Sequence, residues 1–210
     1  MMKKKLTAVT ELKNKGHFDF MTQRLPRGPV DERPMEKTVG LDDMLVKVWG
    51  LVKDENVGRV GIHGMGGVGK TTLLKKISNE FLKPTHDFDV IIFVVVSRPA
   101  SVEKIQDVIL RRLGIEEKWL TGRTEYEKST EVLRLLKEKK FVLLLDDIWE
   151  RIDLTEVGVP PRDNPKKSKV IFTIRSVEVC NGMGADRVMK MNKGNNDLNS
   201  CISFKMLKLD

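Results

Sequence analysis

The chain has 210 residues, of which 40% are hydrophobic and 32% charged, so it fits one domain with its own core and a short extra piece. Its longest apolar run, residues 90–96, is far too short for a transmembrane segment, and two cysteines are too few for a disulfide framework, so we expect a cytoplasmic protein. The net charge of +8 comes from scattered lysines and arginines without the aromatic pattern of an RNA-binding sheet, which argues against direct nucleic-acid recognition.

The amino-terminal segment is polar and contains closely spaced prolines, unlike the rest of the chain. Charged residues at positions 11 and 13 interrupt it before the apolar core of a signal peptide can form. Further on, Pro26, Pro29 and Pro34 fall close together, and each proline biases the preceding residue away from a helix. We therefore predict an extended linker over residues 1–36.

From residue 40 onward, sequence patterns typical of helices alternate with patterns typical of strands. GLDDMLVKVWGLVKD at 40–54 has apolar side chains at helical spacing and two aspartates in the first turn, which predicts a helix. RVGIHG at 59–64 predicts a strand, and KTTLLKKISNEFL at 70–82 predicts the helix after it. DVIIFVVVS at 89–97 is apolar on both faces, as a buried parallel strand must be. SVEKIQDVILRRLG at 101–114 predicts a helix with a serine cap and a terminal glycine.

The same alternation continues to residue 175. TEYEKSTEVLRLLKEKK at 124–140 predicts a helix that opens with a capping box formed by Thr124 and Glu127. FVLLLDD at 141–147 and KVIFTIR at 169–175 have the composition of buried strands. Strands that alternate with helices in this way predict an α/β fold with a mostly parallel sheet between two layers of helices.

Two phosphate-binding patterns overlap in GIHGMGGVGKTT, residues 61–72. Gly64, Gly66 and Gly69 satisfy the dinucleotide fingerprint G-x-G-x-x-G, whereas Gly64 and Gly69 followed by Lys70 and Thr71 satisfy the P-loop pattern G-x-x-x-x-G-K-[ST]. Both patterns place a phosphate over backbone N–H groups at the start of a helix. The residues downstream must therefore decide between them.

A dinucleotide site needs an acid at the end of the second strand, where this chain has Ser97 and Arg98. That arginine could accommodate a 2′-phosphate, but Lys70, Thr71 and Asp146 would then have no explanation. A P-loop needs a lysine for the β- and γ-phosphates, a hydroxyl for Mg²⁺ and an acid at the tip of an apolar strand, and these three residues supply all of them. We therefore predict a three-layer P-loop NTPase fold, preceded by the extended linker.

Four residues at strand ends, including Asp146, are candidates for phosphate chemistry. Asp146 would hold Mg²⁺ directly or through water, and Asp147 would orient or deprotonate an attacking water unless it only caps the turn. Thr173 and Arg175 would point toward the phosphates if their strand lies beside the loop strand. The alternative for Arg175 is a surface arginine that pairs with a helix. For Trp149, which follows the acidic pair, we expect a core or interface anchor.

Five segments taken together resemble consecutive motifs of the NB-ARC domain of plant disease-resistance proteins, in the class with a coiled coil and leucine-rich repeats. They are VGLDDMLVKVW, GIHGMGGVGKTTLLKKISNEF, FDVIIFVVVSR, KKFVLLLDDIWERIDLTEVGVP and SKVIFTIRSVEVC. The resemblance implies a nucleotide-binding domain over residues 37–190, with 1–36 as a linker remnant after a coiled coil and 191–210 as a divergent, disordered tail. It also implies truncation to the nucleotide-binding part, because the later domains of the family have no counterpart here.

Site residues follow from the resemblance at matching positions only. The phosphates would be wrapped by Gly64, Met65, Gly66, Gly67, Val68, Gly69, Lys70, Thr71 and Thr72. Thr71 and Asp146 would hold Mg²⁺, and Asp147 would be the hydrolytic acid. Arg98 would act near the phosphates and Thr173 and Arg175 would sense the γ-phosphate, although Ile174 stands where the family usually has a second threonine. Backbone groups of Val39 and Gly40 would contact adenine.

In that family ADP holds the receptor off, exchange for ATP turns it on, and slow hydrolysis resets it. The resemblance therefore implies an ADP/ATP switch with Mg²⁺ in plant defence, at most a slow Mg²⁺-dependent ATPase. Other immune-receptor chains or defence proteins are candidate partners. Two alternatives stay open: a P-loop ATPase with real turnover, and a truncated adaptor that works without nucleotide.

Overall fold

The computed structural model describes residues 41–83 and 86–192, together with the backbone of 201–203. Its strands are β1 (Arg59–Gly64), β2 (Val90–Val95), β3 (Phe141–Ile148), β4 (Lys169–Ile174), β5 (Arg187–Met191) and β6 (Cys201–Ser203). Its helices are α1 (Asp42–Lys53), α2 (Lys70–Glu80), α3 (Val102–Arg112), α4 (Glu117–Leu120), α5 (Glu125–Lys137), α6 (Leu154–Val157) and α7 (Val177–Gly182). Every predicted helix and strand after residue 40 is present.

The six strands form one sheet in the order β2-β3-β4-β1-β5-β6. All neighbouring pairs from β2 to β5 are parallel, and β6 is antiparallel to β5. The prediction of an α/β fold with a mostly parallel sheet is confirmed. We predicted a disordered tail over residues 191–210, but within it Cys201–Ser203 forms β6 at the edge of the sheet. The predicted linker, residues 1–36, lies outside the described residues.

Strand β3 shows why the domain has three layers. Its side chains alternate between the two faces of the sheet, with Leu143 and Leu145 in one apolar core and Val142 and Leu144 in the other. The first core is closed by α3, α5, α6 and α7, and the second by α1 and α2. Because both faces are covered, the strands are apolar on both sides, as the sequence pattern indicated.

The predicted helix starts are present in the structure. Thr124 Oγ1 accepts a hydrogen bond from the Glu127 backbone N at 3.2 Å, and Glu127 Oε2 accepts one from the Thr124 backbone N at 2.9 Å. This is the reciprocal capping box. Ser101 caps α3 by accepting from the Lys104 backbone N at 3.2 Å. Among the described residues no helix combines the length and apolar character needed to cross a membrane.

Gly158 follows α6 at a point where no side chain fits. Its φ is +92°, and a Cβ there would overlap the carbonyl oxygen of Ser129 in α5. Gly122 also has a positive φ, +76°, but no atom lies within 4 Å of the place its Cβ would take. We expect Gly158→Ala to lower the free energy of unfolding by about 2–4 kcal/mol and Gly122→Ala by about 1 kcal/mol, because only the first adds overlap to backbone strain. Urea unfolding followed by circular dichroism measures both; equal losses would contradict the packing constraint.

Candidate functional site

The glycine loop lies at the point where the order of strands changes direction. β1 is in the middle of the sheet between β4 and β5, whereas the next strand along the chain, β2, is at an edge. Ligands of open parallel sheets bind at such switch points, outside the carboxyl ends of the strands. In the dinucleotide-binding arrangement the strands on either side of the loop helix are neighbours. Here β3 and β4 separate them, so the strand order excludes the dinucleotide alternative.

The loop between β1 and α2 depends on glycine for its backbone path. Gly67 and Gly69 have φ values of +77° and +95°, which other residues rarely adopt. Gly69 is also the residue before α2, and no side chain caps the first turn of that helix. The first N–H groups of α2 therefore have no partner within the helix, and they are the groups that bind anions at helix starts.

Lys70 begins α2 and turns back over the loop. Its side chain is only 8% exposed, and its Nζ donates hydrogen bonds to the carbonyl oxygens of Gly64 at 2.7 Å and Met65 at 2.8 Å. Burial lowers the pKa of the Lys70 ammonium, and the positive charge of Arg175 lowers it further, while Asp147 and Asp146 offset part of this effect. The lysine thus holds a poorly solvated positive charge at the mouth of the loop.

Asp146 is the buried acid of the site, with 2% of its surface exposed. Its Oδ1 accepts a hydrogen bond from Thr71 Oγ1 at 3.2 Å and another from Thr173 Oγ1 at 2.6 Å. Thr71 belongs to α2, Asp146 to β3 and Thr173 to β4. Three elements that are far apart in the sequence therefore converge on one carboxylate oxygen beside the loop.

This donor set suits a magnesium ion. Two oxygens bound side by side to Mg²⁺ at about 2.0–2.1 Å are roughly 2.9 Å apart in octahedral geometry. The observed 3.2 Å between Thr71 Oγ1 and Asp146 Oδ1 is close to that separation. In the described part of the chain no group of three or more His, Cys, Asp or Glu side chains could hold a metal. The ion would therefore need further oxygens from phosphate and water, as Mg²⁺ commonly does.

Thr173 is placed differently from the sequence-based expectation. Its hydroxyl accepts a hydrogen bond from the Asp147 backbone N at 2.8 Å while it donates to Asp146. The side chain is buried, so it joins the two aspartates to β4 rather than standing open toward a ligand. Its role as a phosphate sensor stays a prediction, and its observed contacts are those of a residue that orients the acidic pair.

Asp147 points away from Asp146 because the backbone turns at this residue. Its φ is +58°, and the pairing between β3 and β4 shifts register after Leu145. The carboxylate lies 3.4 Å from Arg98 Nη2 and 3.9 Å from Arg175 Nε. Arg175 therefore faces this acid rather than pairing with a helix. The structure brings Arg98, Asp147 and Arg175 together at the ends of three adjacent strands.

Trp149 also belongs to this group, whereas the sequence led us to expect a core or interface anchor and no contact with the arginines. It is 38% exposed, so it is not a core anchor, and both the Arg98 and Arg175 guanidiniums lie over its ring. A signal for it was available, since a tryptophan two residues beyond an acid at a strand end lies at the ligand-binding edge of a parallel sheet.

The predicted adenine contacts, Val39 and Gly40, lie outside the described residues. The next residue, Leu41, is buried against the loop, with its Cδ2 3.6 Å from the place a Cβ on Gly69 would take. Of the remaining loop residues, Met65 and Gly67 are exposed and Val68 and Thr72 are partly buried. Gly66 approaches Arg175, whose Nη1 would be 3.4 Å from a Cβ there.

Comparison with known proteins agrees with the motifs and the fold. The model of the NB-ARC domain family matches residues 41–199. Disease resistance protein UNI of Arabidopsis thaliana is 44% identical over 187 residues, which is 89% of this chain and 21% of that protein. Disease resistance protein RFL1, also of Arabidopsis thaliana, is 45% identical over 187 residues, again 89% of this chain and 21% of the relative.

The chain thus spans about a fifth of the length of these relatives. The family match covers about three quarters of the 210-residue chain and includes the glycine loop, both aspartates and the strand that carries Thr173. The chain therefore belongs to the NB-ARC family of nucleotide-binding domains.

Proposed function

We propose that the chain binds ADP or ATP together with Mg²⁺ at its glycine loop and acts as a cytoplasmic nucleotide switch in plant defence. The observation that carries the proposal is the convergence of Lys70, Thr71 and Asp146, from two separate elements, beside a loop whose following helix has no side-chain cap on its first turn. Family membership supports nucleotide binding, and the relatives named disease resistance proteins support the defence role. Other immune-receptor chains or defence proteins are the proposed partners.

The proposed roles follow the positions of the side chains. Lys70 leaves the loop carbonyls for the β- and γ-phosphates, and Thr71 and Asp146 hold Mg²⁺, which would neutralise phosphate charge when bound. Asp147 orients a water for slow hydrolysis. Residues 64–72 wrap the phosphates. The terminal phosphate contacts Arg98, Thr173 and Arg175, and the adenine contacts the backbone of Val39 and Gly40. We propose residues 37–190 as the nucleotide-binding unit, with 1–36 as the linker remnant after a coiled coil.

Lys70 provides the first test. A ligand that binds only the folded protein at about 100 times its Kd adds about 2.7 kcal/mol to the free energy of unfolding. Thermal unfolding with ADP–Mg²⁺ or ATP–Mg²⁺ should show this gain in the wild type and lose most of it in Lys70→Ala. Lys83→Ala is the matched control, since that lysine pairs with Glu80 beyond the far end of α2. Stabilisation that survives Lys70→Ala would contradict the proposed site.

Asp146 provides a test of the metal site. Calorimetric titration of ADP into the wild type should give tighter binding with Mg²⁺ than with a chelator. Asp146→Asn keeps the shape and a hydrogen-bond acceptor but removes the charge that an oxygen-coordinated cation requires. We expect this variant to lose the gain from Mg²⁺ while its chelator-treated affinity stays within about threefold of the wild type, about 0.6 kcal/mol. An unchanged gain from Mg²⁺ would place the metal elsewhere.

The second candidate is an ATPase with real turnover, favoured by the acid Asp147 between two arginines at the edge of the site. A switch predicts turnover far below the roughly 1–100 s⁻¹ of working kinases. Asp147→Asn should lower the remaining hydrolysis by about 10²-fold or more, because general-base groups typically contribute at least that much. Phosphate release under saturating ATP measures both quantities. Wild-type turnover above roughly 1 s⁻¹ would support the enzyme instead of the switch.

A further inference from the structure

Trp149 lies between two cationic side chains that the proposed function places near the terminal phosphate. The Arg175 Cζ is 3.8 Å from the centroid of its ring, and the Arg98 guanidinium lies over the same ring. Arg98 follows β2, Trp149 follows β3 and Arg175 follows β4, and these three strands are neighbours in the sheet. The tryptophan is therefore the central member of a row of three side chains at the carboxyl edge.

The ion pairs in this row are too loose to hold the arginines by themselves. Arg98 Nη2 is 3.4 Å and Arg175 Nε is 3.9 Å from different oxygens of Asp147, whereas charge-assisted hydrogen bonds measure about 2.7–2.9 Å. All three side chains are about half exposed, so solvent screens their attraction. The indole supplies a second contact for each guanidinium, through the negative face of its ring.

The position of Arg175 is the one that matters for a ligand. Its Nη1 would lie 3.4 Å from a Cβ on Gly66, so the guanidinium is next to the exposed turn of the glycine loop. An arginine side chain that is free in solution samples many rotamers, and holding it at this place in advance reduces the entropy lost when a phosphate arrives.

We propose that Trp149 is a positioning residue: its ring holds the Arg175 guanidinium beside Gly66, and Arg98 is the second cation on the same ring. By holding Arg175 there, Trp149 sets the preference of the site for a nucleoside triphosphate over a diphosphate. This inference rests on the proposed nucleotide binding. In the proposed function the loop N–H groups contact the phosphates that ADP and ATP share, and Lys70 contacts one shared phosphate as well as the additional one. Arg175, held by the indole, contacts only the additional phosphate. Loss of the indole should therefore weaken triphosphate binding selectively.

The experiment compares Kd values for ADP–Mg²⁺ and for the slowly hydrolysed analogue adenosine 5′-(β,γ-imido)triphosphate with Mg²⁺, measured by calorimetry. Trp149→Leu should raise the Kd of the triphosphate about tenfold, the effect of losing a cation–π contact of moderate strength, and change that of ADP less than about twofold. Trp149→Phe keeps an aromatic face and should fall in between. Trp119→Leu is the matched control, because Arg123 lies over that ring at 5.2 Å and neither residue is at the loop.

The proposal would be overturned if Trp149→Leu raised the Kd of both nucleotides equally or changed neither. If the Leu variant does not fold, Trp149→Phe provides the same comparison. Failure of the wild type to bind either nucleotide would refute the proposed function instead. In that case the positioning contact is tested without nucleotide, by tryptophan fluorescence of protein with Trp49→Phe and Trp119→Phe, in which Trp149 is the sole tryptophan. Arg175→Ala should change its emission, and unchanged emission would overturn the contact.

Discussion

The arrangement of the site depends on one hydroxyl group, that of Thr173. It donates to the Asp146 carboxylate and accepts from the Asp147 backbone N, and so it fastens the end of β3 to β4 where their register shifts. Held in this way, the two neighbouring acids diverge: Asp146 stays buried beside Thr71, and Asp147 turns outward to the arginines.

Positive and negative side chains lie close together at the carboxyl ends of the strands. Lys70, Arg98 and Arg175 stand against Asp146 and Asp147, which leaves one positive charge in excess. The pKa of Lys70 is lowered by its burial and by its repulsion from Arg175. In the proposed function a bound phosphate would relieve that repulsion, so nucleotide binding would also stabilise this folded edge. The two carboxylates limit this excess to one charge.

Sequence reasoning succeeded where a short segment determines its own geometry. The spacing of Gly64, Gly69 and Lys70 is sufficient to predict a loop before a helix, and an apolar run that ends in Asp146 is sufficient to predict a strand tip. It failed where geometry depends on the alignment of distant strands. The inward hydroxyl of Thr173 and the exposed ring of Trp149 result from the register and neighbours of β3, and neither can be obtained from local spacing. Strand β5 was missed because its five residues are partly charged.

The packing of Leu41 on Gly69 has a consequence for the glycine loop. Leu41 immediately precedes α1, and the Asp42 carboxylate at the start of α1 lies 2.8 Å from Lys76 Nζ in α2. The first turn of α1 is thus attached to the helix that begins at the glycine loop. The residue before α1 is therefore packed against the residue before α2. A smaller side chain at position 41 would leave space beside Gly69, so the packing of the loop depends on a residue outside the glycine-rich pattern.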